Sequence, residues 1–275
     1  MSVMAVAASF VNCGPVPAPV KVPLTTSLSR KLDMVLDITF NSFVNVLPDA
    51  IQWVYLRHIW RSIKAETITV TVGKVTSTAR LYFHDTHAKK RGVLFLHGDH
   101  SHPYSMLRLA RLAQKEGAPV FSVWVSYDHK NSELHRQLIR KSIERVSGVM
   151  KARGGIPKVV GVGHSQGCAQ LFLAMRSLSS IIAIAGRFKL FEESPDRQAV
   201  EALKPTIREV QGKIRPWHPI YQIAAGRDWC IRPDAQVTQA APKSFVVPNA
   251  MHLSVVYDQL AQNKYVEYLR TAIAA

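Results

Sequence analysis

Two periodicities of apolar residues divide the chain into a helical front part and a longer part of alternating strands and helices. Between Leu32 and Lys64, apolar residues recur every three or four positions, and Pro48 separates the two helices that this spacing predicts. Both predicted helices carry large aromatic residues, namely Phe40, Phe43, Trp53 and Trp60. Packing on the core of the protein explains these apolar stripes, and a lid or a membrane-facing element is the alternative interpretation.

From residue 66 onward, short apolar runs alternate with helical stretches. Residues 67–72 and 78–83 alternate polar and apolar side chains, which predicts two antiparallel strands. Buried strands are then predicted at 92–96, 120–125, 158–162, 181–184, 221–224 and 245–247. Helices are predicted at 103–116, 132–153, 166–178, 187–216 and 254–272. Such alternation is typical of an α/β fold with a mostly parallel central sheet and helices on both faces.

The boundaries of these patterns predict three segments. Residues 1–30 are expected to form a flexible tail, residues 31–65 an N-terminal helical extension and residues 66–275 the main domain. The apolar run at 3–11 has no Lys or Arg before it, unlike a secretory signal, and no stretch reaches the roughly 18 apolar residues that a membrane span needs. We therefore expect a cytoplasmic protein, with peripheral membrane association or export as the alternatives.

The composition of the chain excludes several classes of protein. Its 275 residues include 35 Lys and Arg against 19 Asp and Glu, a formal net charge of +16. No helix-turn-helix, zinc or RNA-recognition pattern accompanies this excess, so no nucleic acid is expected as a partner. A basic solvated surface explains the charge, and attraction to an anionic membrane surface or an acidic substrate is the alternative. Three widely spaced cysteines (Cys13, Cys168, Cys230) exclude a disulfide framework and a Cys-rich zinc module.

The pentapeptide Gly163-His164-Ser165-Gln166-Gly167 lies directly between an apolar strand and an apolar helix. A G-x-S-x-G sequence in this context is typical of a nucleophile elbow, a tight turn that lifts a serine hydroxyl above the sheet. Gly163 and Gly167 suit this turn because it leaves little room for side chains two positions away from the serine. The helix N-terminus that follows favours a developing negative charge. The pattern predicts Ser165 as a nucleophile.

A serine hydroxyl needs a base, and position along the chain selects His252 from eleven histidines. His252 lies just beyond the last predicted strand and before the last predicted helix. The acid that orients such a histidine follows a strand between nucleophile and base. This rule favours Asp228, at the end of the predicted strand 221–224, and leaves Asp234 as its rival. The chain order of serine, acid and histidine is that of one class of hydrolases and differs from the two main protease orders.

A third component is the sequence His97-Gly98-Asp99, which follows a predicted buried strand. Because Gly98 lets the backbone turn there, we expect a following amide, near Asp99, to point at the reacting carbonyl oxygen. The amide of Gln166 is the predicted second donor of this oxyanion hole. The nearby His100 and His102 raise a metal site as an alternative, but their spacing does not match that of metal hydrolases, so no metal is expected.

Together, these residues resemble the α/β-hydrolase fold family, and within it the lipase and esterase group. The resemblance covers residues 66–273 and depends on His97-Gly98, the pentapeptide, Asp228 and His252 in their chain order. It implies Ser165 as nucleophile, His252 as general base and acid, and Asp228 as the carboxylate that orients the histidine. It also implies a short cap-like insertion at 187–216. Cys168 replaces the second glycine of many members and is small enough for the elbow.

This resemblance implies a serine hydrolase that cleaves carboxylic esters of small molecules or lipids through an acyl-enzyme, without a cofactor. Amidase, thioesterase and acyltransferase activity remain open, because these reactions use the same groups. A non-catalytic binding protein of the same fold is the rival class. The complete set of serine, histidine and acid argues against that rival, because a binding protein has no need of all three.

Overall fold

The computed structural model describes residues 63–84, 90–99, 101, 103–126, 132–186, 219–231, 236 and 243–274, together with Val35. The predicted tail, nearly all of the predicted helical extension and the predicted insertion at 187–216 lie outside the described residues. Within the described residues, the first strand begins at Ala65, one residue before the predicted start of the main domain at 66.

Within the described residues, eight strands form one sheet. They are β1 (Ala65–Val72), β2 (Val75–His84), β3 (Gly92–Leu96), β4 (Val120–Val125), β5 (Val159–His164), β6 (Ser180–Ile184), β7 (Ile220–Ala225) and β8 (Lys243–Val247). Their order across the sheet is β1-β2-β4-β3-β5-β6-β7-β8. Strand β2 runs antiparallel to both of its neighbours, and all pairs from β4 across to β8 are parallel.

Helices cover both faces of this sheet. They are α1 (Leu107–Lys115), α2 (Ser132–Ala152), α3 (Gln166–Leu173) and α4 (Gln259–Ala274). Successive side chains of β3 point to opposite faces, so Leu94 lies in the core with α2 and α3, whereas Phe95 lies in the core with α1 and α4. The predicted architecture of a mostly parallel sheet between two helical layers is confirmed. No helix in the described part of the chain combines the length and the apolarity that crossing a bilayer requires.

Three of the predicted helices have different limits in the structure. The segment 103–116 starts with a 3-10 turn at Pro103–Met106 before α1, and the segment 166–178 ends with another at Met175–Ser177 after α3. The segment 254–272 is divided at Asp258, whose carboxylate accepts hydrogen bonds from the N–H groups of Leu260 (2.8 Å) and Ala261 (3.0 Å). This N-cap makes α4 begin at Gln259, because the cap residue itself is not helical.

The hairpin of β1 and β2 is longer than the alternation of its residues predicts. Gly73, at φ +60°, forms the turn with Lys74, and Val72 already pairs with Val75. Residues 75–78 pair with β1 but not with β4, and most of them are exposed, so this part of the strand carries no clear hydrophobic pattern.

Candidate active site

The turn between β5 and α3 is tight and has an unusual backbone conformation at Ser165, and it is called the elbow below. Ser165 adopts φ 52° and ψ −121°, a conformation that residues with a side chain rarely adopt, and its N–H donates to the carbonyl of Ile184 at 3.0 Å. A Cβ atom on Gly163 would lie 2.8 Å from the backbone nitrogen of Cys168, and one on Gly167 would lie 2.3 Å from the carbonyl oxygen of Leu96. Both glycines are therefore required by close backbone contacts, as the sequence predicts for such a turn.

Ser165, His252 and Asp228 form one chain of hydrogen bonds. The Ser165 hydroxyl lies 3.0 Å from Nε2 of His252, and Nδ1 of the same ring lies 2.7 Å from Oδ2 of Asp228. The ionised carboxylate can only accept, so Nδ1–H donates to Asp228 and Nε2 is left to accept a hydrogen bond from the serine hydroxyl. The three residues follow β5, β8 and β7, whose carboxyl ends meet at one edge of the sheet.

The Asp228 carboxylate is buried and receives hydrogen bonds on both oxygens. Oδ1 accepts the backbone N–H groups of Cys230 and Ile231, each at 2.7 Å. Oδ2, the oxygen that faces His252, also accepts Nε2–H of Gln236 at 2.8 Å. The rival acid Asp234 lies outside the described residues. Gln236 is a residue that the sequence patterns did not indicate, because an isolated glutamine carries no motif.

His97, Gly98 and Asp99 lie beside the elbow. His97 is buried, its Nδ1–H donates to the carbonyl of Gly98 at 2.6 Å, and its Nε2 accepts the N–H of Val125 at 3.3 Å. Burial lowers the pKa of His97, which favours the neutral ring that both bonds require. A Cβ atom on Gly98 would lie 3.0 Å from Cβ of Ser165, so a side chain there would require this turn and the serine to separate slightly.

The two residues predicted to supply oxyanion donors belong to different elements. Asp99 lies in the turn after β3, and Gln166 is the first residue of α3, directly after the serine. At a helix N-terminus the first backbone N–H groups have no partner within the helix, which makes the position of Gln166 suitable for binding a developing anion.

His164 is a second residue that the sequence patterns did not single out as functional. Its buried Nε2–H donates to the backbone carbonyl of His252 at 2.9 Å, and the two rings lie 5.1 Å apart. Burial, with a smaller contribution from the charge of His252, lowers the pKa of His164 to about 3. The ring is therefore neutral at ordinary pH and ties the elbow to the segment that carries His252. The only signal in the sequence is its place inside the pentapeptide.

The ring of Trp229 also contacts His252. The two rings meet edge to face, with their centroids 5.9 Å apart. Since Trp229 directly follows Asp228, one turn supplies both the carboxylate and an aromatic wall for the same imidazole. The backbones that follow β7 and β8 also approach each other closely. A Cβ atom on Gly226 would lie 2.5 Å from the carbonyl oxygen of Pro248.

The described residues contain no group of three or more His, Cys, Asp or Glu side chains placed to hold a metal ion. Of the four residues weighed for a metal site in the sequence, His97 and Asp99 are described, and His100 and His102 lie outside the described residues. His97 uses both ring nitrogens in the backbone hydrogen bonds given above.

Neither a protein-family model nor a curated protein matches this sequence. Solved structures do match. One of two fungal esterases from Rhizomucor miehei has a TM-score of 0.61 at 14% identity, over 92% of this chain and 98% of that chain. A hyperthermophilic esterase from the archaeon Pyrobaculum calidifontis has a TM-score of 0.60 at 14% identity, over 92% and 99%. An esterase from Pyrococcus furiosus has a TM-score of 0.54 at 14% identity, over 76% and 93%.

Proposed function

Since the chain has the α/β-hydrolase fold, as the likeness to these structures shows, we propose that it is a serine hydrolase that cleaves carboxylic esters. The observation that carries this proposal is the hydrogen-bond chain from Ser165 through His252 to Asp228 at the carboxyl edge of the sheet. The description of the similar structures as esterases supports the same chemistry. A tight elbow conformation at the serine supports its role as nucleophile.

In the proposed reaction, His252 Nε2 takes the hydroxyl proton as Ser165 Oγ bonds to the ester carbonyl carbon. The carbonyl oxygen becomes an anion, for which the amides of Asp99 and Gln166 are the proposed donors. The bond between carbon and the leaving oxygen then breaks, and His252 gives its proton to the departing alcohol. Water, activated by the same histidine, hydrolyses the acyl-enzyme and restores the serine. No cofactor takes part in these steps.

The proposed reaction needs the neutral tautomer of His252 that carries its proton on Nδ1. The Asp228 carboxylate accepts a hydrogen bond from Nδ1–H, which leaves the lone pair on Nε2 directed at the serine. When the imidazolium forms, the same buried carboxylate stabilises its charge.

The substrate class we propose is an ester of a small molecule or a lipid. Lipase, thioesterase, amidase and acyltransferase activity differ from esterase activity only in the acyl chain, the bond cleaved or the acyl acceptor.

The test is covalent labelling with an alkyl fluorophosphonate, followed by a panel of acyl esters of increasing chain length. We expect one adduct, on Ser165, together with ester turnover, and neither in Ser165→Ala. The length dependence in the panel separates an esterase from a lipase, and thioester and amide analogues of the best substrate identify the bond preferred. A protein that takes up no reagent and turns over no substrate in the panel would contradict the proposed function and favour a binding protein.

The same assay tests the choice of acid. Asp228→Asn would hold the histidine in the wrong tautomer, for which a loss in kcat of roughly 10⁴-fold is expected. Asp234→Asn is the matched control and should retain turnover. The reverse result would assign the acid role to Asp234.

A further inference from the structure

Gln236 is a buried glutamine whose whole amide group is engaged in hydrogen bonds. Its Oε1 accepts the N–H of Ala225, the last residue of β7, at 2.8 Å. Its Nε2 donates to Oδ2 of Asp228 at 2.8 Å and to the carbonyl of Ile231 at 2.6 Å. These partners determine the orientation of the amide, because the flipped group would turn its oxygen towards two acceptors and its N–H groups towards a donor.

The hydrogen bond from Gln236 ends on Oδ2 of Asp228, the carboxylate oxygen that also faces His252. Oδ2 accepts Nδ1–H of His252 and Nε2–H of Gln236, while Oδ1 accepts two backbone N–H groups. Four donors thus surround the two oxygens, an arrangement that suits an ionised carboxylate, which can only accept. A carboxylate held at both oxygens cannot rotate about its bond to Cβ without breaking hydrogen bonds inside the protein.

We propose that Gln236 is a positioning residue of the active site, which holds the Asp228 carboxylate at the rotation in which Oδ2 accepts the His252 ring N–H. The inference rests on the proposed function. Gln236 acts through Asp228, since its side chain is buried behind the carboxylate and ends on that group, on Ala225 and on Ile231. The amide also bridges the turn between β7 and Ile231. A loss of stability is therefore expected whether Gln236 positions Asp228 or only holds this turn together.

Two variants separate these roles. Gln236→Met fills a similar volume and removes all of the hydrogen bonds. Gln236→Glu keeps an oxygen for the Ala225 N–H but replaces the donor to Asp228 by a second carboxyl oxygen. The matched control is Gln222→Met, since Gln222 is equally buried in β7 and bonds Ser244 at 3.1 Å, away from the triad.

The kinetic expectation is a loss in kcat with little change in KM. Loss of a hydrogen bond to a charged group that stabilises the transition state lowers the rate about tenfold or more. In Gln236→Glu, the ratio of variant to wild-type kcat should rise as pH falls, because the introduced carboxyl group, once protonated, again offers a proton to Asp228. Gln222→Met should retain the wild-type kcat.

A second measurement does not depend on turnover. In proton NMR spectra, the His252 Nδ1–H that bonds to a carboxylate is expected far downfield, and Asp228→Ala identifies this resonance by its loss. Gln236→Met and Gln236→Glu should shift or broaden it, and Gln222→Met should not. A less stable Gln236→Met protein with an unchanged resonance and an unchanged kcat would overturn the inference. A wild-type protein that shows the resonance but turns over no ester would contradict the proposed function instead. The effect of the Gln236 variants on the resonance would then be the test of the positioning role.

Discussion

One buried residue, His84, makes the stability of the folded protein depend on pH, independently of the proposed triad. His84 ends β2 and is buried, with Nε2 2.9 Å from the hydroxyl of Ser122. Burial lowers the pKa of His84 from 6.5 to about 4. Between these two values the unfolded chain binds more protons than the folded one. The stability that the neutral ring provides is therefore complete above about pH 6.5 and is lost as the pH falls towards 4.

We predict that His84→Gln makes the stability of the protein less sensitive to acid. Between pH 6.5 and 4, the free energy of unfolding of the variant should fall less steeply than that of the wild type, by roughly 1.4 kcal/mol per pH unit. Urea unfolding at several pH values measures this slope. Ser122→Ala is the control, since it retains the titrating ring and should retain the slope. Equal slopes in His84→Gln and the wild type would show that His84 is not responsible.

At the scale of residues, the sequence predicted the three residues of the proposed triad better than the residues that support them. Ser165, Asp228 and His252 follow strands in a set chain order, so position selected them, and the structure brings them within hydrogen-bond distance. Gln236 and His164 support these groups through bonds to a carboxylate and to a backbone carbonyl. Such bonds depend on how separate turns meet in space, which no spacing along the chain encodes.

At the scale of elements, the strand, turn and helix around Ser165 store backbone strain. The positive φ of Ser165 is imposed by β5 and α3 on either side, together with the N–H bond to Ile184. A residue with a side chain in such a conformation costs on the order of 1–3 kcal/mol. Glycine avoids most of this cost, although it loses more conformational freedom on folding.

We predict that Ser165→Gly is more stable than Ser165→Ala by about 1 kcal/mol, although both lack the nucleophile. The two variants differ only in the Cβ atom, so the difference in their free energies of unfolding measures the strain. Ala183→Gly, in the regular part of β6, is the control and should lower stability. A Ser165→Gly protein that is no more stable than Ser165→Ala would show that the strain at Ser165 does not exceed the entropic cost of glycine.

The types of the described elements and their succession along the chain followed from periodicity, whereas several of their ends did not. Apolar runs such as 92–96 and 120–125 coincide with β3 and β4 because strands covered on both faces are apolar throughout. The start of α4 depends instead on one side-chain cap at Asp258, and the start of β2 on the turn at Gly73. These are local backbone events that a hydrophobic pattern does not register.

At the scale of the whole molecule, the basic charge is unevenly compensated. On α2, Arg136 lies against Glu133 and Arg140 against Glu144. Helix α1 has no acidic residue among its nine, and Arg108, Arg111 and Lys115 are exposed on it. Glu116, the next residue, is bound by Arg270 through two bonds of 2.8 Å. If the protein binds an anionic surface, α1 is the best suited of the described helices to contact it.

We predict that the protein sediments with anionic vesicles at low salt, less so at high salt, and not with neutral vesicles. Replacing Arg108, Arg111 and Lys115 by glutamine should abolish this binding, whereas replacing Arg136, Arg140 and Lys141 should reduce it less. Recovery of the wild type in the supernatant under every condition would leave the charge as an ordinary solvated surface. Full binding by the α1 variant would place the contact elsewhere.

The strand order also has a consequence for biosynthesis. Strands β5, β6, β7 and β8 are neighbours in sequence and in space, so this half of the sheet can grow at one edge while the ribosome delivers the chain. Ser165 emerges 87 residues before His252. At translation rates of roughly 5–20 residues per second, Ser165 exists without His252 for on the order of ten seconds. On the proposed assignment, a nascent chain that has not yet delivered His252 is inert towards esters, and turnover can begin only after that histidine has emerged.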